Sequence, residues 1–95
     1  MEFEVELLLG AEIEFLDIYS RRGDAFYELF DDCLNRLSRF PELGPLYSFP
    51  FRRLLIPKTP FGLFYTIEGR RIMVNAVLDL RSDPDRILER LKGKS

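Results

Sequence analysis

The residues best equipped for chemistry lie in the second half of this 95-residue chain, where Arg52, Arg53, Lys58, Arg71 and Arg81 put cations around a single candidate base, Asp79, and a tyrosine, Tyr65. Guanidinium groups bind carboxylates and phosphates in fixed geometry, but with pKa values above about 12 they are poor proton shuttles. Proton transfer would fall to Asp79, with Tyr65 as its partner and Lys58 as a further cation. The plainer reading of Asp79 is an ion pair with Arg81 two residues on, and the plainer reading of Tyr65 is a core side chain. Cys33 has apolar neighbours at helical spacing (Leu29, Phe30, Leu34, Leu37), and the chain has no histidine. It is read as a small buried hydrophobe rather than a nucleophile, which needs a base. One cysteine and no histidine also leave no ligand set for zinc and no disulfide, and no cofactor is expected.

Charge separates along the chain. Residues 1–50 hold four arginines against eleven carboxylates, a net of -7, whereas residues 51–95 hold ten lysines and arginines against five carboxylates, a net of +5, giving -2 for the whole. An acidic helical layer and a basic sheet and tail are expected. The acidic whole-chain pI of about 5.2 opposes approach to a polyanion except through the basic half. A length of 95 residues with 46% hydrophobic content supports one domain, residues 1–95, with an adequate core. No apolar run is longer than the three residues of Leu7 to Leu9, and Met1-Glu2-Phe3-Glu4 carries no basic leader. A soluble, cytoplasmic protein without membrane contact is expected.

The elements that must position these residues read as follows. Phe3, Val5 and Leu7 alternate with Glu4 and Glu6, as in a half-buried strand near a sheet edge, and Gly10 is expected to end that run. Ala11 to Arg22 carries Phe15, Leu16, Ile18 and Tyr19 among acids, an amphipathic helix closed by Arg21, Arg22 and Gly23. Asp24 is expected to cap a second helix, in which Phe26, Phe30, Cys33, Leu34 and Leu37 recur at i, i+4, i+7, i+8 and i+11 before Pro41. With only Gly23 between them the helices must form an antiparallel hairpin. Three strands follow at Phe51–Ile56, Leu63–Glu68 and Arg71–Leu80, the last two joined by a tight turn at Gly69. Strict alternation places Ile72, Val74, Ala76, Leu78 and Leu80 under a helix layer. The opposite face, with Arg71, Met73, Asn75, Val77, Asp79 and Arg81, then becomes a mixed working surface. Pro84 suits the first turn of a short final helix that packs through Ile87, Leu88 and Leu91, and Lys92 to Ser95 should fray.

The order strand, helix hairpin, three-stranded antiparallel meander, short helix (β-α-α-β-β-β-α, an α+β domain) covers almost the whole chain. With the words Phe40-Pro41-Glu42-Leu43-Gly44, Leu63-Phe64-Tyr65-Thr66-Ile67-Glu68-Gly69 and Arg81-Ser82-Asp83-Pro84 at its joints, it resembles the RelE/ParE superfamily of bacterial toxins. The resemblance implies the toxin of a type II toxin-antitoxin system, held by a cognate antitoxin whose flexible segment wraps the sheet and helices. It also implies that a chain without that partner self-associates as a homo-oligomer, through the helix hairpin or the first strand. Two mechanisms live on the fold. A RelE-like toxin is an endoribonuclease that cuts mRNA on the ribosome and needs a proton acceptor, a donor and cations. By that resemblance Arg53 and Arg81 remain at or beside catalytic positions, with Asp79 where a histidine can stand. Leu55, Gly62, Ser82 and Leu88 replace the other functional residues. A ParE-like toxin inhibits DNA gyrase by binding, with Arg52, Arg53, Lys58, Arg71 and Arg81 as a recognition surface and Phe51, Phe61 or Phe64 as anchors. Burial against the helix hairpin is the favoured reading for each of these phenylalanines. The binding mechanism needs no proton shuttle and suits these residues better. A third reading is a non-toxic module that only binds its antitoxin.

Overall fold

The computed structural model describes residues 2–93; of the stretch Lys92 to Ser95 expected to fray, Lys94 and Ser95 lie outside them, while the Lys92 and Gly93 N–H groups donate to the Leu88 and Arg90 carbonyls at 3.0 and 3.3 Å. It is an α+β domain in which β1 (Glu4–Leu7), α1 (Leu9–Arg22) and α2 (Asp24–Arg39) precede β2 (Leu46–Ser48), β3 (Phe51–Leu55), β4 (Phe61–Glu68), β5 (Arg71–Asp79) and α3 (Pro84–Leu91). One five-stranded sheet has the order β1-β5-β4-β3-β2, so β1 is an edge strand as expected and runs parallel to β5. The meander is antiparallel, but it has four strands rather than three. Strand β2 escapes a sequence reading because its three residues, in the four-residue stretch between Pro45 and Pro50, are too few to show alternation, and only the edge of β3 makes them a strand.

The helix hairpin forms as its periodicity dictates. Phe26, Phe30, Cys33 and Leu37 of α2 and Ala11 and Ile18 of α1 are buried against the sheet, with the Phe15 ring tilted by 34° against that of Phe30, centroids 4.6 Å apart. Burial pushes the Cys33 thiol above its ordinary pKa, in keeping with a core role. Two local expectations are corrected. Gly10 does not break the chain, because α1 already begins at Leu9; a Cβ at Gly10 would lie 2.5 Å from the Arg90 guanidinium, so the glycine makes room for that side chain. Asp24 is not the cap of α2 but its first residue. Gly23, at φ 75°, ends α1 and starts α2, while the Asp24 carboxylate accepts the Tyr19 hydroxyl at 2.8 Å.

A β-bulge decides how β5 is used. Phe64 pairs with Ala76 but Tyr65 pairs with Val74, which leaves Asn75 as an extra residue and reverses the alternation beyond it. Ile72 and Val74 face the hairpin as expected, but so does Val77, which is buried there with Leu63, Tyr65 and Ile56. Ala76, Leu78 and Leu80 turn to the other face, where Ile87 and Leu91 of α3 pack on Phe64. The expected single covered face is therefore two half-faces, and the sheet is sandwiched between the hairpin and α3. Ile87 and Leu91 are each nearly buried, worth about 1.5–3 kcal/mol apiece, and anchor α3.

The bulge lies just past the end of β1, where β5 loses its parallel neighbour. The exposed backbone groups are met by side chains. The Val77 N–H donates to Glu14 Oε1 at 3.0 Å, and Arg90 donates to the Asn75 carbonyl at 2.9 Å while pairing with Glu14 at 2.8 Å. One ion pair thus ties α1, β5 and α3 together. Replacing Glu14 by alanine orphans the Val77 N–H and one charge and should cost about 1–3 kcal/mol, whereas Glu14→Gln keeps an acceptor and should lose less. Urea midpoints of the two variants measure this, and equal losses would show that the backbone bond contributes nothing.

Candidate functional site

Adjacent strand residues point to opposite faces, and this separates the first two arginines. Arg52 lies on the hairpin face and donates to the Gly44 carbonyl at 2.8 Å; Arg53 lies on the α3 face, over the Tyr47 ring at 5.2 Å. Arg71, at the start of β5, is paired with Glu6 and, at 3.9 Å, with Glu4. Arg81 follows the other end of β5, roughly 30 Å away at about 3.3 Å per residue. Lys58 occupies the β3–β4 turn at φ 65°. The five cations do not form one patch. Of the three aromatic anchors, Phe61 is buried against the hairpin as expected, but Phe64 is buried and Phe51 half-buried on the opposite face, in the cluster formed with α3, because adjacent strand residues alternate between faces.

The two proton-transfer candidates are committed elsewhere. Arg81 grips Asp79 through Nε at 3.0 Å and a terminal nitrogen at 2.7 Å, and its backbone N–H adds a third bond at 2.9 Å. These bonds hold the Asp79 carboxyl at a pKa of about 2 and raise that of Arg81. Tyr65 is wholly buried. Its hydroxyl donates to the Pro41 carbonyl at 2.7 Å and accepts the Gly44 N–H at 2.9 Å, so it staples the Pro41–Pro45 turn to the sheet. Burial raises the Tyr65 pKa. Gly44 is required there, since a Cβ would approach the Arg53 carbonyl to 2.7 Å.

What the structure does assemble is a groove of about 520 Å³ between α1 and the C-terminal half of β5. Ile13, Ile18, Phe61 and Val77 supply its apolar wall, and the Asp17–Arg21 and Asp79–Arg81 pairs its rim. Arg22 lies over the Phe61 ring at 4.9 Å. It also lines a second hollow with Phe26, Leu29 and Lys58, so Arg22 stands between Lys58 and Arg81 and brings these two predicted cations to one edge of the molecule. Sequence reasoning took Arg22 only as a helix-end charge. It also missed that Leu9, Ile13 and Leu16 lie outside the core, 70%, 58% and 54% exposed. Their i, i+4, i+7 spacing was a legible signal of a second apolar stripe on α1, beside the one that Ile18 buries.

Matched charges thus border a groove whose exposed apolar side chain is Ile13, with Ile18, Phe61 and Val77 nearly buried beneath it. Among the described residues there is no acidic or cysteine cluster that could hold a metal, and no helix is long and apolar enough to cross a membrane.

Two outcomes test this assignment. Tyr65→Phe removes both turn bonds and should cost about 1–3 kcal/mol in chemical denaturation, with the Pro41–Pro45 amides exchanging faster. Because the folded Asp79 carboxyl titrates near 2, below an ordinary value of about 3.9, its contribution to stability is complete above that value and is lost as pH falls through about 2. Carboxyl NMR should show the low midpoint and its return toward the ordinary range in Arg81→Gln. No protein-family model matches the chain, and no curated protein matches it.

Proposed function

We propose that this chain is the toxin of a type II toxin-antitoxin system, with a RelE/ParE-like fold, and that it acts in the ParE manner by binding DNA gyrase while a cognate antitoxin neutralises it. The element order supports the fold reading: an edge strand, a helix hairpin, an antiparallel meander and a short helix follow one another as the resemblance implies. The observation that carries the choice of mechanism is the Asp79–Arg81 clamp. A carboxyl held at about 2 is a weak base at neutral pH. Tyr65 cannot replace it, since both of its bonds serve a structural turn. A ribonuclease on this fold would lack a proton acceptor at the place where the resemblance puts one, whereas a protein that acts by binding needs none. Arg22 at the groove and the exposed α1 stripe then serve as contact surface, since arginine is a frequent anchor of protein interfaces.

Induced expression in a bacterial host, with pulse labelling of DNA and protein synthesis, tests the reading. Early arrest of DNA synthesis is expected, relieved by co-expression of the antitoxin. Protein synthesis failing first would favour an mRNA endoribonuclease. Unimpaired growth with abundant folded protein would leave only an antitoxin-binding module.

A further inference from the structure

Strand β1 pairs with β5 as far as Leu7 opposite Val74, with a last bond from the Leu8 N–H to the Val74 carbonyl at 3.0 Å. Strand β5 continues to Asp79. In a parallel pair, a residue of the neighbouring strand bonds the carbonyl before and the N–H after the residue it faces. Opposite Ala76 those groups are the Asn75 carbonyl and the Val77 N–H, and they are held by Arg90 and Glu14. The ion pair therefore stands where one residue of a parallel strand would stand.

The next position along the same edge, opposite Leu78, offers the Val77 carbonyl and the Asp79 N–H. Both face away from β4, because the N–H and C=O of a strand residue point to one side and that side alternates. Leu80, of the opposite parity, donates across to the Pro60 carbonyl at 2.8 Å. No side chain among the described residues bonds to the Val77 carbonyl or the Asp79 N–H. Val77, Leu78 and Asp79 line the groove opposite Ile13 and Ile18.

We propose that this groove receives an extended segment of a partner protein, running parallel to β5, in register opposite Leu78. An unpaired strand edge is a template for a further strand, and the backbone bonds would carry affinity while the groove selects side chains. The lining names the chemistry. Ile13, exposed at the edge of the groove whose floor is the nearly buried Ile18 and Phe61, calls for an apolar residue. Asp17 occupies Arg21, Asp79 occupies Arg81 and Glu14 occupies Arg90, whereas Arg22 makes no salt bridge among the described residues. The segment accordingly carries a carboxylate beside its apolar residue. This goes beyond the toxin reading, since it needs only the edge and the groove and is tested without cells.

The probe is a phage-displayed library of short random peptides, selected on the full chain, with the tightest binder then made synthetically. Enriched peptides should combine apolar and acidic residues. The synthetic binder should slow hydrogen exchange at the Asp79 amide. Ile13→Arg and Arg22→Glu, both with unchanged urea midpoints, should each weaken it by about tenfold or more. The proposal is overturned if nothing is enriched, if the binder leaves Asp79 exchange unchanged, or if it tolerates both substitutions. Asp79 protection that grows with the chain's own concentration would assign the edge to a second copy instead and would equally overturn it.

Discussion

Backbone hydrogen bonding along β5 is the constraint on which the rest of the structure depends. That strand is the sheet's one link between β1 and the antiparallel meander, yet β1 accompanies only its first half. A buried strand cannot leave its amides and carbonyls unmet, because each orphaned group costs as much as a lost bond or more. The chain's answer is local and physical. A bulge at Asn75 shifts the register, and Glu14 and Arg90 supply the acceptor and donor that the missing strand would have supplied. Gly10 completes the arrangement by leaving room over α1 for the guanidinium.

The same bulge explains why the domain has two small cores. By reversing the alternation after Asn75 it sends Val77 to the helix hairpin and Ala76 and Leu78 to α3. Without it α3 would meet Val77 and Asp79 instead of Ala76 and Leu78. The groove beside α1 is a by-product of this geometry, since the edge that β1 abandons is open beyond the reach of the Glu14–Arg90 pair.

Charge placement sets the chemical character of the molecule. Most of the arginines that a sequence reading gathers into one surface are spent locally: Arg52 on a turn carbonyl, Arg53 on a tyrosine ring, Arg71 on two glutamates and Arg81 on Asp79. The two ion pairs among these, Arg71 with its glutamates and Arg81 with Asp79, are partly exposed and add little stability, but the second removes Asp79 from use as a base. Arg22 lies over the Phe61 ring but, among the described residues, makes no salt bridge at the groove.

Periodicity alone determined the helix hairpin, the buried role of Cys33, the β4–β5 turn at Gly69 and the place of α3, because these rest on local spacing and local turn chemistry. It also determined the Asp79–Arg81 pair, whose partners are two residues apart. Strand β2, the reversal at Asn75, the separation of Arg52 from Arg53 as working groups and the groove itself were decided only by the tertiary structure. Each depends on groups far apart in the chain, such as Glu14 with Arg90 or Tyr65 with Pro41, and a bulge leaves no mark in hydropathy when the residues on both sides of it are apolar. Composition and spacing therefore set which residues are buried in helices, while sheet register set which face each strand residue serves.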